Sequence, residues 1–413
     1  MSADPVWPFF ALVALALALA TLAPFRSLDA FDTGTARHAG VDGLRGFLAL
    51  AVFVFHLVVT RRFVDTGVWQ VPDSRFYALL GPIGVSMFFM ITGFLFWGKL
   101  LRAKGRPGWA ELYIGRLLRI APMYLFVVVT MLAIVFWRTG PQLREPVADV
   151  AWQIAQWLAL GWLDAQPDVN GYPAVHLLAG VTWTIYYEWL FYASLLLLAP
   201  FARGPRHLAT VGVALVLMVA GKLWLHSHAM GLAALFLYGM LSASLLHDGL
   251  RPRLSDRAAS VLAGIGLGLV VVAGVSRGGY GSLVGLLLGL VFYLVCCGAT
   301  LFGLLTSAAA RRLGGVSYSI YLMQGLVLAL VFAIGPVREA ALATPAGFWM
   351  AGALSLLLLV LASALTYRRI ELPGMALGRW LQQRLRERSA HQAAVAVQGS
   401  TNQVGEKAVK AGL

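Results

Sequence analysis

Apolar stretches of about 20 residues alternate with short polar, arginine-bearing segments along almost the whole chain. A run of that length crosses the hydrocarbon of a bilayer as an α-helix, because each backbone group then pairs inside the segment. Such runs lie at about 5–25, 44–61, 79–98, 118–138, 181–200, 207–225, 229–247, 258–276, 280–305, 315–335 and 346–366. The expected fold is all-α, a polytopic membrane bundle of about 10–11 transmembrane helices. The first run has no basic segment before it and no small-residue cleavage site after it, so it reads as a membrane helix rather than a removed leader. Beyond the last span, residues 374–388 set Leu377, Trp380, Leu381 and Leu385 against Arg379, Arg384 and Arg386. That is the pattern of a cytoplasmic amphipathic helix on an anionic leaflet. Residues 389–413 lack any periodic core and are expected to be a disordered cytoplasmic tail. The chain thus divides into an additional N-terminal helix and linker (1–37), a membrane domain (38–373), the amphipathic helix and the tail.

Composition agrees and adds orientation. With 60% hydrophobic and 12% charged residues, 413 residues are too apolar for an ordinary soluble protein. The net charge of +14 does not imply nucleic acid, because the cations sit in short loops at helix ends. Such loops mark the cytoplasmic side. Lys99, Arg102, Lys104, Arg106, Arg116 and Arg119 face only Glu111 within 99–119. Alternating from there places the N-terminus outside and the C-terminus inside, with Arg61 and Arg62 as the exception. The long outer segment, 139–180, carries Asp149, Asp164 and Asp168, and 150–163 suits an interfacial helix with Trp152, Trp157 and Trp162 at the headgroups. Cys296 and Cys297 are adjacent in an apolar run and read as packing residues. His226 and His228 lack a nearby carboxylate, and no metal site is expected.

The chemistry concentrates on 38–57, HAGVDGLRGFLALAVFVFHL. Eleven residues separate Arg45 from His56, almost three helical turns, so both lie on one face ~16 Å apart along the axis. Ionisable groups inside a membrane helix are costly and mark function by default. The plainer alternative makes Arg45 a snorkelling anchor and His56 an interhelical hydrogen bonder. Glu188, in Thr182-Trp183-Thr184-Ile185-Tyr186-Tyr187-Glu188-Trp189, falls at a depth similar to His56, and a His–Glu pair would satisfy both groups. A glutamic acid held by nearby Tyr and Trp donors is the alternative. Arg116 and Arg119 share a helix face suited to phosphate oxygens, although every cytoplasmic helix end is basic. The run from Gly314 to Gln324 is polar enough to line a site.

In order along the chain, these pieces resemble the acyltransferase-3 family of integral membrane acyltransferases. The matching segments are VDGLRG (41–46), the Arg45–His56 spacing, FFMITGF (88–94), RLLRIAPMY (116–124), TWTIYYEW (182–189), GVSYSIYL (315–322) and IELP (370–373). The resemblance implies transfer of an acyl group, usually acetyl from acetyl-CoA, to a saccharide hydroxyl of a cell-envelope or exported glycan, in a bacterial inner membrane. It implies His56 as the catalytic histidine with Glu188 and Arg45, a donor site of Arg45, Arg116, Arg119 and Tyr124, and acceptor contacts from Asp42, Trp183, Tyr187, Tyr318 and Gln324. Expected partners are the acyl-CoA, a glycan or glycolipid acceptor and membrane lipid, with no nucleic acid. The chain departs from the family at Gln324, where members often carry His, and at Thr92, where they often carry Ser. Gln324 still donates and accepts hydrogen bonds. The rival is a proton-coupled glycan or lipid transporter using the same polar residues; it would show repeated halves with paired broken helices, and no such repeat is evident.

Overall fold

The computed structural model describes residues 5–26, 39–140, 142–277 and 281–387, so the 389–413 tail and the 27–38 linker lie outside the described residues. Helices α1 (Trp7–Ala20), α2 (Ala39–Thr66), α3 (Arg75–Arg102), α4 (Trp109–Thr139) and α5 (Val147–Leu158) form the first half. They are followed by α6 (Trp183–Leu198), α7 (His207–Leu225), α8 (His228–His247), α9 (Asp256–Arg277) and α10 (Ser282–Cys296). The chain then forms α11 (Ala308–Gly315), α12 (Ser317–Val331), α13 (Gly335–Ala343) and α14 (Pro345–Thr366). Among the described residues, 8 helices are long and apolar enough to cross a membrane, the bent pair α11–α12 can serve as a ninth, and α1 and α10 are shorter apolar helices. The protein is a polytopic helical bundle.

Helices α2 and α3 form its centre: 78% of the apolar window of each is buried, against 11% for α7, whose Val213, Val216 and Leu217 face outward as lipid-contacting residues do. Glycine sets the tightest contact. A side chain at Gly93 of α3 would overlap the carbonyl of Phe236 on α8, and one at Gly239 of α8 would overlap the carbonyl of Met90 on α3. This reciprocal approach is how membrane helices gain packing where burial from lipid drives little.

Several expected spans differ in detail. The 280–305 run is helical only to Cys296; Gly298, Leu301, Phe302 and Gly303 then adopt positive φ and turn the chain. The 315–335 run is the second limb of a span bent by 67° between Gly315 and Ser317. Trp157 is not a headgroup anchor. It is 1% exposed and its indole N–H donates to the Pro167 carbonyl at 2.9 Å, leaving Trp152 and Trp162 exposed. Arg61 stacks over Phe348 at 4.7 Å and Arg62 lies against Asp73, so both exceptional cations have a local partner. The amphipathic helix is present and continues from α14 through a π-turn, Tyr367–Glu371, to residue 387. It packs on the start of α4, where Gln382 donates to the Glu111 carbonyl at 2.8 Å.

Candidate active site

The start of α2 is fixed by its glycines. Side chains at Gly43 and Gly46 would collide with the backbone at Leu305 and at Ala310 to Gly314, and one at Gly314 would strike the carbonyl of Asp42. The backbones therefore touch, and the intervening Asp42 and Arg45, 3.9 Å apart between Oδ1 and Nη1, project into a cavity of about 510 Å³. Arg45, Arg116, Arg119, Arg311, Arg312 and Arg379 all line it, against the carboxylates of Asp42 and Glu188. These arginines come from helix ends gathered at one end of the bundle, and their forked donors suit phosphate and carboxylate oxygens.

Several of these side chains are held in place. Arg116 lies 4.1 Å from the Phe96 ring centroid and 5.4 Å from that of Tyr192. Arg119 sits 3.3 Å from the Glu371 carboxylate, and Glu371, 1% exposed, also accepts from Ser319. The π-turn brings Glu371 to that place; such insertions re-aim side chains within a helix. Deeper in the cavity wall, Glu188 accepts from Thr92 at 3.2 Å and from the Tyr192 hydroxyl at 2.6 Å. Tyr318 donates to the Ile120 carbonyl at 3.0 Å.

His56 lines a second cavity, of about 590 Å³, that opens toward the opposite end of the bundle between α2, α3, α6 and α9, with Phe55, Arg75, Trp183 and Ser276. Val85 and Tyr321 line both cavities and form the partition between them. The His56 ring has a defined tautomer. Nδ1 lies 3.0 Å from the Val52 carbonyl and 3.4 Å from Gln324 Oε1. Gln324 is oriented by its own Nε2, which donates to the Tyr321 carbonyl at 2.9 Å. Both neighbours of Nδ1 are acceptors, so Nδ1 carries the proton and Nε2 keeps its lone pair. Nε2 has no hydrogen-bond partner among the described residues and is the nitrogen available to a ligand.

The comparison with known families decides what kind of site this is. A family model described as an acyltransferase domain, that of acyltransferase-3, matches residues 38–368. The chain belongs to the acyltransferase-3 family. No curated protein and no solved structure matches it. The protein is therefore a membrane acyltransferase.

Of the residues named from sequence, this acyltransferase gathers Asp42, Arg45, Arg116, Arg119, Glu188 and Tyr318 around the arginine-lined cavity and places His56 and Trp183 on the other. It does not pair His56 with Glu188; each has partners of its own. Tyr124 turns away from the arginines, its hydroxyl donating to the Trp157 carbonyl at 2.9 Å, and so ties α4 to α5. Tyr187 packs edge-on against Trp183 and Tyr186 outside both linings. Gln324 is fully buried behind His56 rather than in a cavity wall. Arg311, Arg312 and Arg379 join the site, although the sequence reading gave Arg379 only a place on the amphipathic helix and named neither of the others as part of the site. Glu371 was visible in IELP, but nothing in the spacing paired it with Arg119 across 252 residues of chain (371 − 119).

Proposed function

We propose that the protein moves an acetyl or other short acyl group from cytoplasmic acyl-CoA to a saccharide hydroxyl of a cell-envelope or exported glycan at a bacterial inner membrane. The observation that carries this reading is the placement of one oriented imidazole against the partition between an arginine-lined cavity and an opposite, more apolar one. The basic end faces the cytoplasm in this proposal, in line with the cation bias of its loops. Six guanidinium groups there suit the phosphates of the donor, and its narrow thioester arm reaches past Val85 and Tyr321 toward His56. The acceptor enters from the other side, where Trp183 and Phe55 offer flat apolar faces to a sugar ring.

His56 Nε2 takes the hydroxyl proton. The oxygen bonds to the thioester carbonyl carbon, the carbon–sulfur bond breaks, and the proton held by His56 passes to the departing sulfur. The same lone pair would instead accept the acyl group if transfer runs through an acyl-histidine. Glu188, hydrogen-bonded to Thr92 and Tyr192, shapes the donor side rather than assisting the imidazole. The test is acetyl-CoA binding and slow hydrolysis by purified protein in detergent. Arg45→Ala should weaken binding, and His56→Ala should remove turnover while binding persists. A folded wild type that binds neither acetyl-CoA nor a longer acyl-CoA would refute the proposal and favour transport.

A further inference from the structure

Helix α7 is an outlying member of the bundle: 11% of its apolar window is buried, and it packs almost entirely on α8. At one end the two helices are fitted together by glycines, Gly221 against Met230 and Gly231 against Lys222. At the other end ionisable side chains meet. His207 opens α7, His247 closes α8 and Asp248 follows it. His207 is 4% exposed, and its Nε2 lies 3.1 Å from Asp248 Oδ1. The His247 ring stands edge-on to that of His207, with centroids 5.3 Å apart. One ligating atom from each of the three lies within 4.8 Å of the others. None of these residues lines either cavity. The end of α8 is itself anchored to the centre of the bundle, because Trp97 of α3 donates its indole N–H to Ser244 at 2.8 Å.

Two imidazole nitrogens and a carboxylate oxygen form a donor set for borderline divalent transition metals such as zinc. Three donors so spaced surround a point no more than about 2.8 Å from any of them, and zinc asks for about 2.0–2.2 Å. The difference is within reach of His247 and Asp248, which are exposed, while buried His207 gives the site a fixed corner. The hydrogen-bonded pair of His207 and Asp248 explains two of these groups; a bound cation explains all three. We infer that His207, His247 and Asp248 bind one zinc ion, which clasps the start of α7 to the end of α8. His207 Nε2 turns its lone pair to the metal, the proton it shares with Asp248 is released, and water completes the tetrahedron. His207 stands 40 residues before His247 (247 − 207), so no local spacing announces the site. The ion is structural and leaves the chemistry at His56 alone.

The test uses untagged protein in detergent, stripped with a chelator and titrated with zinc chloride. Metal content after gel filtration and thermal melting are the two readouts. Wild type should retain one zinc per chain and melt several degrees higher with zinc than without, because an ion held only by the folded state stabilises it. His247→Ala and Asp248→Asn, both at exposed positions, should bind zinc at least tenfold more weakly and lose the rise in melting temperature, with acyl transfer unchanged. His226→Ala, at an exposed histidine outside the cluster, should behave as wild type, and magnesium should not replace zinc. Folded wild type that retains no zinc would overturn the inference. So would zinc retention undiminished in His247→Ala and Asp248→Asn, an equal loss in His226→Ala, or zinc bound with no rise in melting temperature.

Discussion

At His56, a ring that accepts nothing at Nδ1 can do only one kind of work at Nε2. Because Val52 O and Gln324 Oε1 both take the Nδ1 proton, the lone pair is fixed on the far nitrogen. Replacing His56 with Ala should lower acyl transfer by about 10²–10⁴-fold, the usual worth of a positioned general base, with unchanged melting temperature. Gln324→Leu removes one of two acceptors and leaves the other. A net hydrogen bond of about 1 kcal/mol predicts a kcat loss of roughly fivefold to tenfold with donor KM unmoved. A change confined to KM would show that Gln324 contacts substrate. Away from the membrane core, His176 stacks on Trp69 at 5.0 Å, and burial lowers its pKa from the ordinary value, the charge of Asp168 opposing only in part. The unfolded chain then binds a proton at a higher pH than the folded one, so stability is complete above the ordinary histidine pKa and falls as pH drops through it. Melting curves from pH 7.5 to 5 should show this decline, and His176→Phe should flatten it.

Individual elements owe their positions to glycines and to one irregular turn. Gly43→Val or Gly314→Val drives a side chain into main chain and should cost about 3 kcal/mol or more. Gly212→Ala, with no atom near its new methyl, should be neutral or slightly stabilising, and melting in one detergent would rank all three. The π-turn has a sharper test in Glu371→Ala, which strands Arg119 beside a largely buried site. A loss of about 3 kcal/mol is expected, with a raised donor KM, and Glu371→Gln should recover part of both. The motifs at the ends of α2, α4 and α12 were legible because short spacings, such as the three residues between Arg116 and Arg119, place groups on one face. What was not legible joins distant segments. The His56–Glu188 pair was inferred from equal depth, yet depth says nothing about azimuth around a bundle, and Glu188 faces Thr92 and Tyr192. Tyr124 failed for the same reason: it is on the right helix, but on the side that meets α5.

Across the whole molecule, hydropathy alone located the spans, because a membrane demands length and apolarity from every crossing segment. It gave no sign of the 67° bend in the span containing Ser317, since a bent pair has the same composition as a straight helix. That bend and the thin partition at Val85 and Tyr321 turn the bundle into two cavities facing opposite ends. A carrier would need the same two openings, so the cavities by themselves do not separate transport from transfer; membership of an acyltransferase family does. The most direct measurement uses protein reconstituted in vesicles in one orientation, with acetyl-CoA labelled in the acetyl group supplied on one side only. Wild type should release free CoA when the label is supplied at the arginine-lined end and not from the other, with label appearing on an added acceptor glycan across the membrane, and His56→Ala should do neither while still binding acetyl-CoA. CoA release at the wild-type rate in His56→Ala, or movement of acceptor with no CoA released at all, would contradict acyl transfer at His56.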